Sequence, residues 1–446
     1  MSRSRPRSRG PRSTPPPWSA RLVALDVIRR VTDEGAYSNL ALARTIARAG
    51  LTDRDAALAS ELAYGTLRRK LGLDRALAPY LDRPLDTAPK AARSVLRLGA
   101  YQILHTRIPP HAAVAETVEL ADARHRGFVN AVLRRLSAEG ASPPEGDRDE
   151  DVAGRTGLQG WAVRELRREL GDEAEEAAAA LAEAAGLTLR ANTCRIGVEE
   201  LERAFERAGV SAERGLLVGE SLNVSGGSPA SLPGFREGWF AVQDQASSYV
   251  VTVLDPQPGE RILDACAGPG GKAGDIACRI GPGGSLVAAD VRPSRAGLVR
   301  ETLARLGLPG HLVVQDGRRP CVRGPFDRIL VDAPCSGIWS ARRRPELLWR
   351  PGRDELAALA RSQVAIAAGV TDLLRPGGRL VYSVCTFPRA ETDAACDAIL
   401  RHRPDLEPVE LAGPDGPAHR FRLWPHRHGC DAMFVAGFRR RHTSPV

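Results

Sequence analysis

The stretch Arg261-Ile262-Leu263-Asp264-Ala265-Cys266-Ala267-Gly268-Pro269-Gly270-Gly271-Lys272 decides the fold. A short apolar run closes on Asp264, a glycine loop follows, and a helix is expected from about Ala273. Glycines let backbone N–H groups approach a ligand, and the helix N-terminus adds unpaired donors and partial positive charge. Strand, glycine loop and helix in this order open a Rossmann-like α/β domain. Gly268 to Ala273 also satisfies the G-x-G-x-x-A dinucleotide pattern, so on its own the loop leaves NAD open as cofactor.

Downstream, Ser285 to Asp290 reads as a second strand whose terminal acid suits the hydroxyls of a ribose. Leu312-Val313-Val314-Gln315-Asp316 ends a third strand in an acid suited to an adenine amino group. Strand four runs Arg328 to Val331 with Asp332 at its tip, and strand five Arg379 to Ser383 after a Pro376-Gly377-Gly378 turn. A single such acid is more often a helix cap. Their recurrence around a glycine loop fits S-adenosylmethionine at least as well as NAD. Cys335 and Cys385 follow strands four and five, at the sheet end where ligands bind. Two buried core cysteines are the plain alternative; the adjacent glycine loop favours covalent chemistry on a substrate.

The blocks Phe326 to Gly337, Asp264 to Lys272 and Tyr382 to Thr386, with the spacing from Cys335 to Arg342-Arg343-Arg344-Pro345, resemble the Nop/Sun family of RNA 5-methylcytosine methyltransferases over roughly 187–440. Upstream, Leu96 to Leu104, Ile108 to Glu116 and Gly127 to Arg135 resemble a NusB-like helical RNA-binding domain. The two together are the arrangement of the family's bacterial RsmB/Sun branch, which acts on 16S rRNA. The departures are Gly268, Ala273, Trp339, Thr386-Phe387 and Glu391-Thr392-Asp393, none expected to touch a reacting group.

The resemblance implies S-adenosylmethionine held by Cys266, Ala267, Gly268, Pro269, Gly270, Gly271, Lys272, Asp290, Asp316 and Asp332. It also implies a target at cytosine 967. Carbon-5 of cytosine is a poor nucleophile until a thiolate adds at carbon-6. By analogy with the family, Cys385 is that nucleophile, Cys335 removes the carbon-5 proton or assists release, and Asp332 binds the amino/N3 edge of the base. The reverse assignment of the cysteines stays open. A reactive thiol needs a lowered pKa, for which Lys272 and Arg342 to Arg344 are candidate sources of positive potential. Alternatives are the same chemistry on tRNA or another rRNA site, or a NusB-like RNA-binding factor with a vestigial catalytic domain.

The net charge of +9 agrees with a phosphate-backbone partner. Lysine occurs only at 70, 90 and 272, so arginine carries the positive charge; a coding bias would do the same. Arg68, Arg69, Lys70, Arg134 and Arg135 are candidate RNA contacts or merely solvated helix faces. The eight cysteines form no C-x-x-C pair, so no metal site is expected. Without a signal peptide or a long apolar stretch, a cytoplasmic protein with reduced thiols and no membrane contact is expected. A monomer is expected.

At 446 residues more than one domain is required. The divisions expected are a disordered basic arm at 1–17, a NusB-like all-α domain at 18–137, and a linker with helices at 138–186. A small α+β module of ferredoxin or RRM type follows at 187–242, then the Rossmann-like methyltransferase domain at 243–440 and a tail at 441–446. Residues 137–160, rich in Gly, Pro and acids, read as the linker proper. Asp244 is as good a helix cap as a substrate contact, and His426 and His428 are expected in an exposed loop.

Overall fold

The computed structural model describes residues 18–442; the expected basic arm and most of the tail lie outside them. The chain divides into two compact units, Met1–Ser142 and Pro143–Val446.

The first unit is helical: α1 (Ala20–Asp33), α2 (Ser38–Ala49), α3 (Asp53–Arg68), α4 (Lys70–Leu77), α5 (Lys90–His105), α6 (Pro110–Glu119) and α7 (Arg126–Glu139). Ser19 and Thr52 cap α1 and α3 by accepting the backbone N–H of Leu22 and Asp55. Helix α5 is buried all round from Ser94 to Gln102, as a central helix must be. Gly65 lets α3 lie against it, since a Cβ there would fall 2.0 Å from the Tyr101 ring. Lys70, a candidate RNA contact, is half-buried and paired with Asp74 at 3.4 Å.

The second unit begins differently from expectation. The acid-rich segment read as linker carries a helix, α8 (Asp149–Thr156), followed by α9 (Gly160–Leu170) and α10 (Ala174–Ala182). Asp149, Glu150 and Asp151 sit in the first turn of α8, where the helix dipole favours negative charge, and Val152 is fully buried.

Next come β1 (Leu187–Ala191), α11 (Val198–Arg207), β2 (Ala212–Arg214), β3 (Ser221–Val224) and β4 (Phe240–Val242). They form an antiparallel sheet of order β2-β3-β1-β4, with Leu189, Leu201, Phe205, Leu222 and Phe240 as its core. Buried Arg190 lies 3.5 Å from Asp275, and Asn192 donates to the Leu306 carbonyl, fastening this module to the next domain. Cys194 and Cys278 are joined as a disulfide with Cα atoms 5.8 Å apart, a departure from the expectation of reduced thiols. They stand 84 residues apart, so only folding brings them together.

The α/β domain that follows contains α12 (Gln245–Leu254), β5 (Arg261–Asp264), α13 (Gly271–Ile280), β6 (Ser285–Asp290), α14 (Pro293–Leu306), β7 (His311–Val314), β8 (Phe326–Asp332), α15 (Arg353–Thr371), β9 (Leu374–Val384) and α16 (Asp393–His402). It ends with β10 (Leu406–Pro408), the β11 (Leu411–Gly413)–β12 (Gly416–Ala418) pair, β13 (Arg420–Leu423), α17 (Pro425–His428) and β14 (Met433–Arg440). The main sheet runs β10-β14-β9-β8-β5-β6-β7, with β13 also on β14; β5 to β9 are mutually parallel and β14 is antiparallel to β9. From β5 the chain winds outward to β7, then returns to β8 on the other side. The β5/β8 boundary is therefore the switch point where such sheets bind ligands. Strand β9 starts at Leu374: Phe326 pairs with Leu374 but Arg328 with Arg379, so Pro376-Gly377-Gly378 bulges out of register within the strand. His428 is buried, accepting the Trp424 N–H, and His426 lies 3.2 Å from Glu173, so neither stands in an exposed loop. Among the described residues no helix is long and apolar enough to cross a membrane.

Candidate active site

Strand β5 delivers Asp264 into the switch-point crevice, and the chain turns through the glycine loop into α13. Gly270 takes φ +108°, in the left-handed region, and a Cβ there would meet Val299 and Thr302 of α14 at about 3 Å. A Cβ at Gly268 would fall 2.7 Å from Asp290. Gly271 opens the helix, and Lys272 in its first turn reaches across to β8, its Nζ donating to Asp332 Oδ2 at 2.8 Å. Asp332 Oδ1 accepts the Ser383 hydroxyl at 2.8 Å. Asp264 is 1% exposed; Oδ1 accepts the Cys266 N–H at 3.4 Å, while Oδ2 has no hydrogen-bond partner. Burial, with Asp332 nearby, lifts its pKa to about 7.

The remaining cofactor candidates are placed less uniformly. Ala267 donates its N–H to the Ala289 carbonyl, holding the loop against β6, and the Cys266 thiol is pushed up by burial. Asp290 ends β6 as expected. Its oxygens already accept the N–H groups of Gly268 (3.2 Å) and Arg292 (2.9 Å), with Arg295 at 3.3 Å. Asp316 lies beyond the end of β7 in an ion pair with Arg318 at 2.6 Å, which pulls its pKa down.

The two thiols converge. Cys335 Sγ and Cys385 Sγ are 3.4 Å apart, both half-buried, and the Ser340 hydroxyl donates to Cys385 Sγ at 3.4 Å. The hydrogen bond from Cys335 lowers the Cys385 pKa to about 7, aided by Ser340 and the Arg344 guanidinium against burial and Asp332. Cys335 shifts the opposite way, its proton held by the contact with Cys385 and by burial. Of the three arginines expected to supply positive potential, Arg342 and Arg343 are engaged elsewhere. Arg342 donates to the Cys430 carbonyl, and Arg343 pairs with Asp431 at 2.7 Å and Asp244 at 3.3 Å. Asp244 is the N-cap of α12, accepting the Ala246 N–H.

Sequence reading did not single out Ser340, Ser383, Gln363 or Glu391 as site residues. Glu391 is fully buried and holds the backbone and hydroxyl of Ser336, beside Cys335. The signal for Glu391 was its place in Glu391-Thr392-Asp393, six residues past Cys385, where the family pattern also carries an acid.

A glycine loop at the switch point of a largely parallel sheet, with acids at successive strand ends, defines the Rossmann-like methyltransferase class. Residues 251–439 match the family model of the 16S rRNA methyltransferase RsmB/F, 19–138 the NusB family, and 159–230 the ferredoxin-like domain of RsmF/B-like methyltransferases. The chain is 35% identical over 445 residues to the "Probable ribosomal RNA small subunit methyltransferase B" of Bacillus subtilis, covering 95% of this chain and 99% of that one. It is 34% identical over 439 residues to the ribosomal RNA small subunit methyltransferase B of Vibrio cholerae, covering 95% and 98%. The solved structure of PH0851 superposes with TM-score 0.80 at 24% identity over 96% of this chain and 99% of its own, a likeness of fold. A methyltransferase homolog protein from Pyrococcus horikoshii gives 0.57 at 27% identity over 66% and 100%. The chain belongs to the RsmB/Sun family of S-adenosylmethionine-dependent rRNA methyltransferases.

Proposed function

We propose that this protein methylates carbon-5 of a cytosine in 16S rRNA, at position 967 by its resemblance, through a covalent bond from Cys385 to carbon-6. The observation that carries the reading is the pair of sulfurs 3.4 Å apart, with Cys385 held near thiolate and Cys335 near thiol.

The crevice suits S-adenosylmethionine. The loop passes at Gly271 into α13, whose first-turn N–H groups and partial positive charge border the crevice; Asp264 Oδ2 is buried with no hydrogen-bond partner, and Asp290 is our candidate for the ribose. Asp316 would serve the adenine once released from Arg318, and Lys272 and Asp332 would border the reacting end. Family membership supports this cofactor over NAD. When bound, it supplies an electrophilic methyl group.

The chain's own residues prepare the base. Cys385 thiolate bonds to carbon-6, and the electron pair of the 5,6 double bond makes carbon-5 nucleophilic. Asp332 has lone pairs left after accepting from Lys272 and Ser383, and these take the base amino group. Once carbon-5 carries its methyl group it still holds its original proton. Bonding of Cys385 to carbon-6 removes the charge that held the Cys335 proton, so Cys335 gives that proton to water and, as thiolate, takes the carbon-5 proton; the double bond re-forms, the carbon-6–sulfur bond breaks, and Cys385 leaves as thiolate beside a Cys335 that is thiol again. The target must be flipped from its stack to reach the thiols. The NusB-type unit and the excess of arginine supply RNA affinity. Every proposed protein group comes from one chain, so a monomer suffices; the free Cys335 and Cys385 suit the cytoplasm, whereas the Cys194–Cys278 disulfide does not argue for it.

The test is methyl transfer from labelled S-adenosylmethionine into protein-free 16S rRNA, with the modified base mapped, for wild type, Cys385→Ala and Cys335→Ala. Label at one cytosine, abolished in Cys385→Ala, with a stable protein–RNA adduct in Cys335→Ala, is the expected result. Label on tRNA or on assembled subunits alone would move the substrate, and an adduct in Cys385→Ala would reverse the cysteine roles.

A further inference from the structure

Glu391 lies between β9 and α16, outside the groups assigned to the reaction, with no exposed surface. One carboxylate oxygen accepts the Ser336 backbone N–H (2.9 Å) and the Gln363 amide (2.8 Å), and the other accepts the Ser336 hydroxyl (2.6 Å). With that proton spent, the Thr386 hydroxyl, 2.7 Å away, donates to Ser336 Oγ. Gln363 also donates to the Pro334 carbonyl, and the Tyr382 hydroxyl donates to the Glu391 carbonyl. Ser336 follows Cys335 and Thr386 follows Cys385, so one buried carboxylate grips the residues beside both thiols. A carboxylate is costly to bury and is tolerated when its lone pairs are met, as they are here.

We propose that Glu391 is a positioning residue: through Ser336 and Thr386 it sets the separation and orientation of the Cys335 and Cys385 thiols. The proposal deepens the cytosine reading and rests on it for its catalytic meaning.

Two variants test it. Glu391→Gln replaces one accepting oxygen with an NH2 that cannot accept, so either the Ser336 hydroxyl or the Ser336 N–H with the Gln363 amide loses its acceptor. Thr386→Val keeps the shape and deletes the hydroxyl bridge without changing charge. The first readout needs no RNA: the pH midpoint of Cys385 alkylation by iodoacetamide, followed by peptide mass spectrometry. Both variants should move that midpoint from about 7 toward the ordinary thiol value of about 8.5. Removing the charge of Glu391 would by itself lower the midpoint, so an upward shift in Glu391→Gln identifies geometry as the cause. The second readout is methyl transfer. We expect kcat to fall by about 100-fold, the scale of a 1 Å misplacement, with KM for RNA unchanged and partial recovery in Glu391→Asp. An unmoved midpoint and kcat in Thr386→Val, or a downward shift in Glu391→Gln, would overturn the proposal. Should Glu391→Gln not fold, Thr386→Val decides alone. Wild type that alkylates as expected yet methylates no RNA would sink the cytosine reading while the alkylation series still judged the positioning.

Discussion

Replacing Lys272 with methionine isolates the single cation that spans the switch point. Its Nζ lies 2.8 Å from Asp332, with the two side chains 12% and 28% exposed. At that separation an effective dielectric of about 20 gives a gross attraction of roughly 6 kcal/mol. Desolvation of both ions offsets most of it. The single variant measures something else: it leaves Asp332 with only the Ser383 hydroxyl, and buried Asp264 beside it with no balancing charge. Breaking a buried pair costs about 3–5 kcal/mol, and the partial exposure of Asp332 reduces this to about 2–3 kcal/mol. Lys272→Met, Asp332→Asn and the double variant should be compared by urea unfolding under tryptophan fluorescence. The double variant removes the stranded charge, so it should be more stable than the sum of the singles implies by at least about 1 kcal/mol. Costs that add to within about 0.5 kcal/mol would refute the coupling.

The remaining predictions concern the thiols and the loop. Because the Cys385 pKa is lowered to about 7, its reactive thiolate fills as pH rises, so kcat/KM for methyl transfer should climb through that pH and then level. Ser340→Ala should move the climb upward, and a flat profile between about pH 6 and 8 would rule this out. Trp339 is fully buried, its ring centroid 5.0 Å from that of Trp424, and its backbone N–H donates to the Cys385 carbonyl. Trp339→Ala should cost about 3–5 kcal/mol in chemical unfolding. Gly270→Ala combines a strained φ with a Cβ at 3.0 Å from Thr302, and calorimetry should show S-adenosylmethionine binding weakened by about tenfold or more.

Three strands were legible because each pairs an apolar run with a terminal acid, and Asp264, Asp290 and Asp332 end theirs as expected; β7 stops at Val314, short of Asp316. The Rossmann-like class and the placing of Cys335 and Cys385 at the ligand-binding end of the sheet followed from the same reading. What stayed hidden depends on contacts across the fold. Helix α8 hid behind a composition of Gly, Pro and acids, since its acids serve as first-turn residues only once burial of Val152 fixes the helix. Arg342 and Arg343 read as cations for the thiols, yet Asp431, some ninety positions on, claims them. Glu391 reads only as part of a departure from the family pattern, because nothing local shows that Ser336, 55 residues earlier, would be its partner.

Strands β8 and β9 are neighbours in register, Asp332 opposite Ser383, at the roughly 4.8 Å spacing of hydrogen-bonded strands. Cys335 stands three residues past Asp332 and Cys385 two past Ser383. The sheet thus works as a ruler, and the sulfur gap is inherited from backbone pitch before any side chain adjusts it. Inserting or deleting one residue in either short span would turn a thiol away or carry it out of reach, whatever residue was used. The reaction is written here in the lengths of two segments as much as in the identity of their cysteines.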